Sequence, residues 1–193
     1  LKSKYLVELL AQLKAIVDVN ISDIEGGRRA QAVAQWYASA NAAQRVDCWQ
    51  LMSEQFGLDA AQMQAMASRY GVPARSAQWK VLEASQGGKR LGWVVIDNVV
   101  GKFELITYAV GIAADGTVKQ VEILSYRESH GAEVRLPAWR SQFAGKTTQA
   151  PLQVGKDIAN ISGATLSCTH VTDGVRRIVG VIDLALQTQQ LGA

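Results

Sequence analysis

The residues best placed for chemistry are Ile161-Ser162-Gly163-Ala164-Thr165-Leu166-Ser167-Cys168, a run of small and hydroxyl-bearing side chains just before the last long amphipathic segment. The pattern reads as a tight loop feeding the N-terminus of a helix. Such a terminus presents unpaired N–H groups and a partial positive charge, worth roughly 0.3–1 kcal/mol to an anion placed there. Gly163 and Ala164 leave the backbone bare, so the hydroxyls of Ser162, Thr165 and Ser167 are the groups available for bonding or modification. Thr169 or Ser167 is expected to cap the helix. Alone, Ser-Gly-Ala-Thr describes a small-residue turn with a good cap equally well.

The helix behind the loop is predicted from Val171, Val175, Ile178, Ile182 and Ala185, which share one face. Ahead of it, the chain divides at about Pro73. Residues 1–72 read as an all-helical segment. Leu6, Leu9, Leu10, Leu13, Ile16 and Val17 form one stripe, and Ala30, Val33, Trp36, Tyr37 and Ala40 a second. A third helix is expected from Val46 through Trp49 and Met52 to Phe56. A fourth follows a capping box at Asp59 and Gln62, carries Met63, Met66, Ala67 and Tyr70, and closes at Gly71 and Pro73. These stripes are read as core.

Beyond Pro73 the period changes to that of strands. They are expected at 79–84 and 91–99 around the turn Gln86-Gly87-Gly88, at 103–112, and at 118–126 after the hairpin signal Asp115-Gly116. The run Phe103 to Ile112 is apolar enough to be central in its sheet. The fold class expected is therefore α+β, a mainly antiparallel sheet flanked by helices and preceded by the helical segment.

Composition narrows the function. The chain has 193 residues, 48% hydrophobic and 19% charged, with a formal charge of +3. That is an ordinary globular balance with scattered basic residues and no nucleic-acid-binding motif. No apolar run reaches the ~20 residues of a membrane span, so a soluble chain is expected. Because it begins at Leu1, a removed signal peptide or membrane anchor is an open alternative. Cys48 and Cys168 fit no metal or haem spacing. Two buried thiols and a disulfide formed in an oxidising compartment both remain open.

The order of elements carries a resemblance. A Gly-rich turn, an apolar strand ending in Val110-Gly111-Ile112, and Asp115-Gly116 before Val121 and Ile123 come first. Arg127-Glu128-Ser129-His130-Gly131-Ala132-Glu133-Val134 follows, then Trp139, Gln142-Phe143, Gly145-Lys146 and finally Ser162-Gly163-Ala164-Thr165. Over residues 78–188 this resembles the FMN-binding domain family. Its members include the flavin subunits of the sodium-pumping NADH:quinone oxidoreductase and of the related ferredoxin:NAD oxidoreductase, and small extracytoplasmic electron-transfer proteins. The resemblance implies FMN joined through its phosphate to Thr165 by a flavin transferase. It also implies phosphate contacts from Ser162, Gly163, Ala164 and Ser167, and ring contacts among Tyr126, Glu128, His130, Gly131 and Leu166. His130 is a candidate for tuning proton uptake, since imidazole titrates near neutrality. Two positions depart from the family pattern. Ala159 stands where an Asp usually precedes the acceptor by six residues, and Cys168 where Ser or Thr is common.

The function implied is an electron carrier of the bacterial cell envelope, periplasmic or otherwise extracytoplasmic, serving redox partner proteins that include membrane-bound ones. It is a subunit or carrier in preference to a stand-alone enzyme, with no catalytic residue and no metal. The alternatives are a flavin-dependent reductase of a small molecule and a sensory or regulatory flavin domain. A Gly-rich dinucleotide fingerprint is missing, which argues against direct NAD(P)H use.

Overall fold

The computed structural model describes residues 50–86 and 89–191, with the side chains of 50–52 and 86 left aside. The two stripes expected within residues 1–49, and Cys48, lie outside the described residues. Five strands form one antiparallel meander in the order β1 (Gln50–Gly57), β2 (Gln78–Gln86), β3 (Lys89–Val100), β4 (Leu105–Ala113), β5 (Val118–Ser125). Helix α1 (Ala60–Tyr70) stands between β1 and β2. A short helix, α2 (Pro137–Arg140), and the long α3 (Thr165–Gln187) follow the sheet.

The α+β class holds, but the helix expected over 46–56 does not: from Gln50 onward this segment is a strand. Trp49, Met52 and Phe56 have helical spacing, yet Gln50 to Gly57 runs in unbroken register with Ser85 to Gln78 of β2. Satisfying that edge's backbone groups outweighs a weak local helical pattern. Phe56 turns into the core while Ser53 and Gln55 face water. The sheet thus begins well before residue 78.

Helix α1 starts and stops where its sequence signals stand. Asp59 accepts from the Gln62 amide and Gln62 returns the bond to the Asp59 amide, both at 2.8 Å. Gly71 ends the helix in the left-handed conformation. Cross-links then fix α1 to the far half of α3. Gln62 Nε2 donates to Thr188 Oγ1, and the Tyr70 hydroxyl donates to Asp183 at 2.5 Å.

Strand β4 is buried on both faces, with Ile106, Tyr108, Ala109, Val110 and Ile112 all inaccessible. It is interior but not the middle strand: β3 holds that place, and β4 is one from the β5 edge. It also begins at Leu105, so Phe103 belongs to the preceding turn. The outer edge of β5 is closed rather than left to pair with another chain. Gly145 N and Lys146 O bond Val118, and Arg140 donates to Val121 O at 2.9 Å and pairs with Glu122.

Helix α3 crosses β3 and β4 and buries Val171, Val175, Ile178, Ile182 and Ala185, the face predicted. Its approach to the sheet depends on Gly174. A Cβ there would lie 2.1 Å from the Tyr108 hydroxyl and 2.7 Å from its ring carbon Cζ. Tyr108 cannot swing away, because it is buried and donates to Asp97 at 3.0 Å. Gly174→Ala is therefore expected to cost about 1–3 kcal/mol, the usual penalty of overpacking a filled core. Denaturant unfolding checks this, and an unchanged midpoint would refute so close a contact.

Candidate functional site

The loop before α3 is a β-turn closed by Ala164 N donating to Ile161 O at 3.0 Å. Gly163 has φ +80, the left-handed value required of the third residue in a type II turn, and nothing lies within 4 Å of where its Cβ would be. Helix α3 starts at Thr165, three residues earlier than a Ser167 cap would place it. Neither Ser167 nor Thr169 caps it; the N-cap is Ala164, which makes no side-chain cap bond to the first turn's N–H groups. The first intrahelical acceptor is Ala164 O, bonded by Cys168 N at 2.9 Å. The N–H groups of Thr165, Leu166 and Ser167 therefore have no acceptor within the helix. Thr165 is exposed at this uncapped end, and Asn160 Nδ2 donates to its Oγ1 at 3.1 Å.

The loop is held in place from beneath. Gly131, with φ +86, packs so tightly on Ala164 that a Cβ on Gly131 would meet the Ala164 Cβ at 2.4 Å and the Tyr126 hydroxyl at 2.7 Å. Burial keeps the Tyr126 phenol above its ordinary value, so it stays protonated and donates its one proton to His130 O. Ser167 Oγ, 3.1 Å from the same hydroxyl, must then be the donor to it. Ser167 is buried and its proton is committed, which leaves it no hydrogen bond to give a phosphate. Cys168 beside it is buried, and burial pushes its thiol up, away from the reactive thiolate.

Of the residues expected around a flavin, Ser162, Gly163, Thr165 and Leu166 are exposed together at the loop and first turn. Ala164, Ser167, Tyr126 and Gly131 form the support under them. Glu128 does something else. Its Oε1 accepts from the backbone N–H groups of Lys102, Phe103 and Glu104, at 2.5, 2.6 and 2.9 Å. Those bonds, the one from Glu104 foremost, hold the Glu128 carboxyl below its usual range. The carboxylate thus clamps the turn between β3 and β4. His130 presents its carbonyl to Tyr126, while its exposed ring meets Ser129 Oγ at 3.0 Å.

Sequence reasoning overlooked His170. Its Nδ1 lies 2.5 Å from Val100 O and joins the second turn of α3 to the end of β3. The available signal was its place four residues after Leu166, on one face of the helix.

The connection leading to the loop has its own anchor. Asp157 accepts from Lys146 Nζ at 2.8 Å, Gln153 N at 2.8 Å and Leu152 N at 3.1 Å. Ala159 is pinned by Gln142 Oε1 on its N–H and by the Trp139 indole on its carbonyl, both at 2.8 Å. Asp157 therefore cannot serve as the carboxylate that the family pattern puts at position 159.

An exposed threonine hydroxyl on an uncapped 23-residue helix, with a bare glycine turn beside it, suits an esterified phosphate. A family model described as the FMN-binding domain matches residues 101–180. That segment is similar to the FMN-binding domain family. The match runs from the turn clamped by Glu128 to the middle of α3, and so includes the whole loop and its support. A component of the proton-translocating ferredoxin:NAD(+) oxidoreductase complex of Clostridium ljungdahlii is 33% identical over 104 residues, 50% of this chain and 56% of that protein. The chain thus spans about half the length of this curated relative. No helix among the described residues is long and apolar enough to cross a membrane.

Asp157 gives this segment a pH-dependent element. Burial acts to raise its carboxyl, but the bonds from Gln153, Lys146 and Leu152 outweigh burial and hold it below the ordinary carboxylate value. A carboxyl lowered in the folded state contributes its full stability above the unfolded-state value and loses it as pH falls through the folded-state value. Asp157→Asn is expected to cost about 2 kcal/mol at neutral pH, the scale of a charge-assisted hydrogen bond. The gap to wild type should close in acid. Urea unfolding at several pH values tests this, and a gap independent of pH would contradict it.

Proposed function

We propose that this chain is an electron-transfer flavoprotein of the bacterial cell envelope whose FMN is esterified through its phosphate to Thr165 Oγ1 by a flavin transferase. The observation that carries the reading is the exposure of that hydroxyl on a helix start that no side chain caps, inside a segment similar to the FMN-binding domain family. In maturation an Oγ1–P bond forms to an activated flavin phosphate, the phosphate's bond to its leaving group breaks, and the hydroxyl proton is lost to solvent. Asn160 donates to Oγ1, so the hydroxyl proton is turned away from the amide and towards the incoming donor.

The N–H groups of Thr165, Leu166 and Ser167 and the hydroxyl of Ser162 would hold an esterified phosphate. Ser162, Gly163, Ala164 and Leu166 are thus assigned to the phosphate end. Ser167 is assigned an amide role, its hydroxyl serving Tyr126. Bound FMN supplies the redox chemistry, and the protein supplies position and access. The tether also removes the need for a deep pocket. A dissociable FMN at nanomolar affinity needs about 12 kcal/mol of binding free energy. A linked one is present at high effective concentration, so its ring is free to stay exposed for exchange with protein partners. The relative is by name part of an oxidoreductase complex. We infer that the partners here are likewise redox proteins, membrane-bound ones among them, reached on the extracytoplasmic side.

Intact mass after co-expression with a flavin transferase tests the linkage. Wild type is expected to gain the mass of FMN less one water, and Thr165→Val none. Asn160→Ala should still be modified, but about fivefold more slowly, as the loss of roughly 1 kcal/mol in one hydrogen bond implies. If wild type stays unmodified while a control substrate is labelled, the proposal is wrong.

A further inference from the structure

Away from the loop, a cavity of about 160 Å³ lies between the end of α1, the connection ahead of Asp157 and the middle of α3. Arg69, Tyr70, Thr148 and Arg176 line it with polar groups, and Pro151 and Val179 with apolar ones. Arg176 stands 11 residues beyond Thr165, about 16 Å along the helix axis. Arg69 and Tyr70 come from α1, ahead of the segment that matches the FMN-binding domain. The cavity is therefore separate from the loop chemistry. Its size also limits its occupant, since a cavity of about 150 Å³ holds one benzene ring. A flavin ring or a nucleotide does not fit.

Two cations share this small space. Arg176 is the inner one, its side chain 17% exposed against 54% for Arg69. Asp173 accepts from Arg176 Nη2 at 2.7 Å, but the Arg176 Nε is buried and has no acceptor among the described residues. That is a costly state for a charged donor. Gly71 adds no side chain beside Arg176, and a Cβ there would stand 3.9 Å from Nη1. The acid nearest Arg69 is already engaged. Asp183 accepts from the Tyr70 hydroxyl at 2.5 Å and Gln187 Nε2 at 2.8 Å, and Arg69 Nη2 lies 3.5 Å away. With Nη1 bonded to Gln187, Arg69 still has N–H groups to give. The far wall is set in advance: Leu152 holds a left-handed φ of +46, and its amide donates to Asp157 at 3.1 Å.

We propose that this cavity binds a compact organic oxyanion, no larger than a four-carbon dicarboxylate. Its carboxylate takes hydrogen bonds from Arg176 and Arg69, whose planar forks match that group, and from the Thr148 hydroxyl. Its carbon chain rests on Pro151 and Val179. The Tyr70 proton is committed to Asp183, so Tyr70 contributes its ring and not its hydroxyl. Bound there, the anion joins α1 to α3 beside the Gln62–Thr188 and Tyr70–Asp183 bonds. Nothing in this depends on the linkage at Thr165.

Titration of the full chain with succinate, followed by the arginine Nε–H and backbone amide NMR signals, tests the site. Saturable shifts are expected at Arg69, Arg176 and Thr148, with none from neutral succinamide. Arg69→Gln, at a half-exposed position, should keep the fold and weaken binding roughly tenfold, the scale of one charge-assisted bond. Arg176→Gln should weaken it at least as much. Thr165→Val should bind as wild type does, so the outcome is read apart from the flavin linkage. Inorganic phosphate separates the two sources of an oxyanion, and binding as tight as that of succinate would overturn an organic ligand. The site itself would be overturned by undiminished affinity in Arg69→Gln, or by the lack of any saturable shift with succinate.

Discussion

The contact of Gly131 with Ala164 is the constraint on which the site depends. No side-chain carbon fits between them, so the segment leaving β5 and the loop entering α3 meet almost backbone to backbone. Tyr126 locks the junction by bonding His130 on one side and Ser167 on the other. A small residue before the acceptor is therefore required for two reasons. Ala164 must be small to admit Gly131, and as a residue without a polar side chain it leaves the helix start uncapped. A serine or aspartate there would stabilise the helix and occupy the amides that a phosphate needs.

The same economy governs the polar groups around the loop. Ser167, Tyr126, Glu128 and Asp157 each carry chemistry that suits a ligand, and each is spent on backbone or side-chain partners within the fold. What remains exposed at the loop is Thr165, Ser162 and Leu166. A site built this way binds little by itself. It offers one hydroxyl in a fixed position, and the covalent bond proposed at Thr165 would supply the occupancy that these contacts do not.

Much of this was legible because local signals and tertiary structure agree. The capping box at Asp59, the Asp115-Gly116 hairpin and the apolar face of α3 are short-range patterns, and each stands in the structure as read. The readings that failed depended on partners distant in sequence. Residues 50–57 form a strand because β2 offers an edge, which no window around Phe56 reveals. Ser167 resembled a cap because its bond to Tyr126, 41 residues away, is invisible locally. The bonds of Glu128 were hidden for the same reason, since its partners are amides of another strand's turn. Phe103 was assigned to a strand on its apolar character, but its amide bonds Glu128 and the strand begins at Leu105.

The alanine at position 159 gains a physical meaning from Asn160. A carboxylate near the acceptor can accept the threonine proton, whereas an amide nitrogen only donates to its oxygen. In this chain Asn160 Nδ2 fixes Oγ1 by donating to it and takes no proton from it. The carboxylate nearest upstream in sequence, Asp157, is held by Lys146 and two amides. The Thr165 hydroxyl is thus oriented by the protein and left protonated, so in the linkage proposed above its activation would have to come from the transferase. An amide also adds no charge beside an incoming phosphate, where a carboxylate would repel it. The substitution therefore exchanges basicity supplied in place for a less repulsive approach, and it leaves the helix dipole at the start of α3 as the electrostatic feature that the esterified phosphate meets.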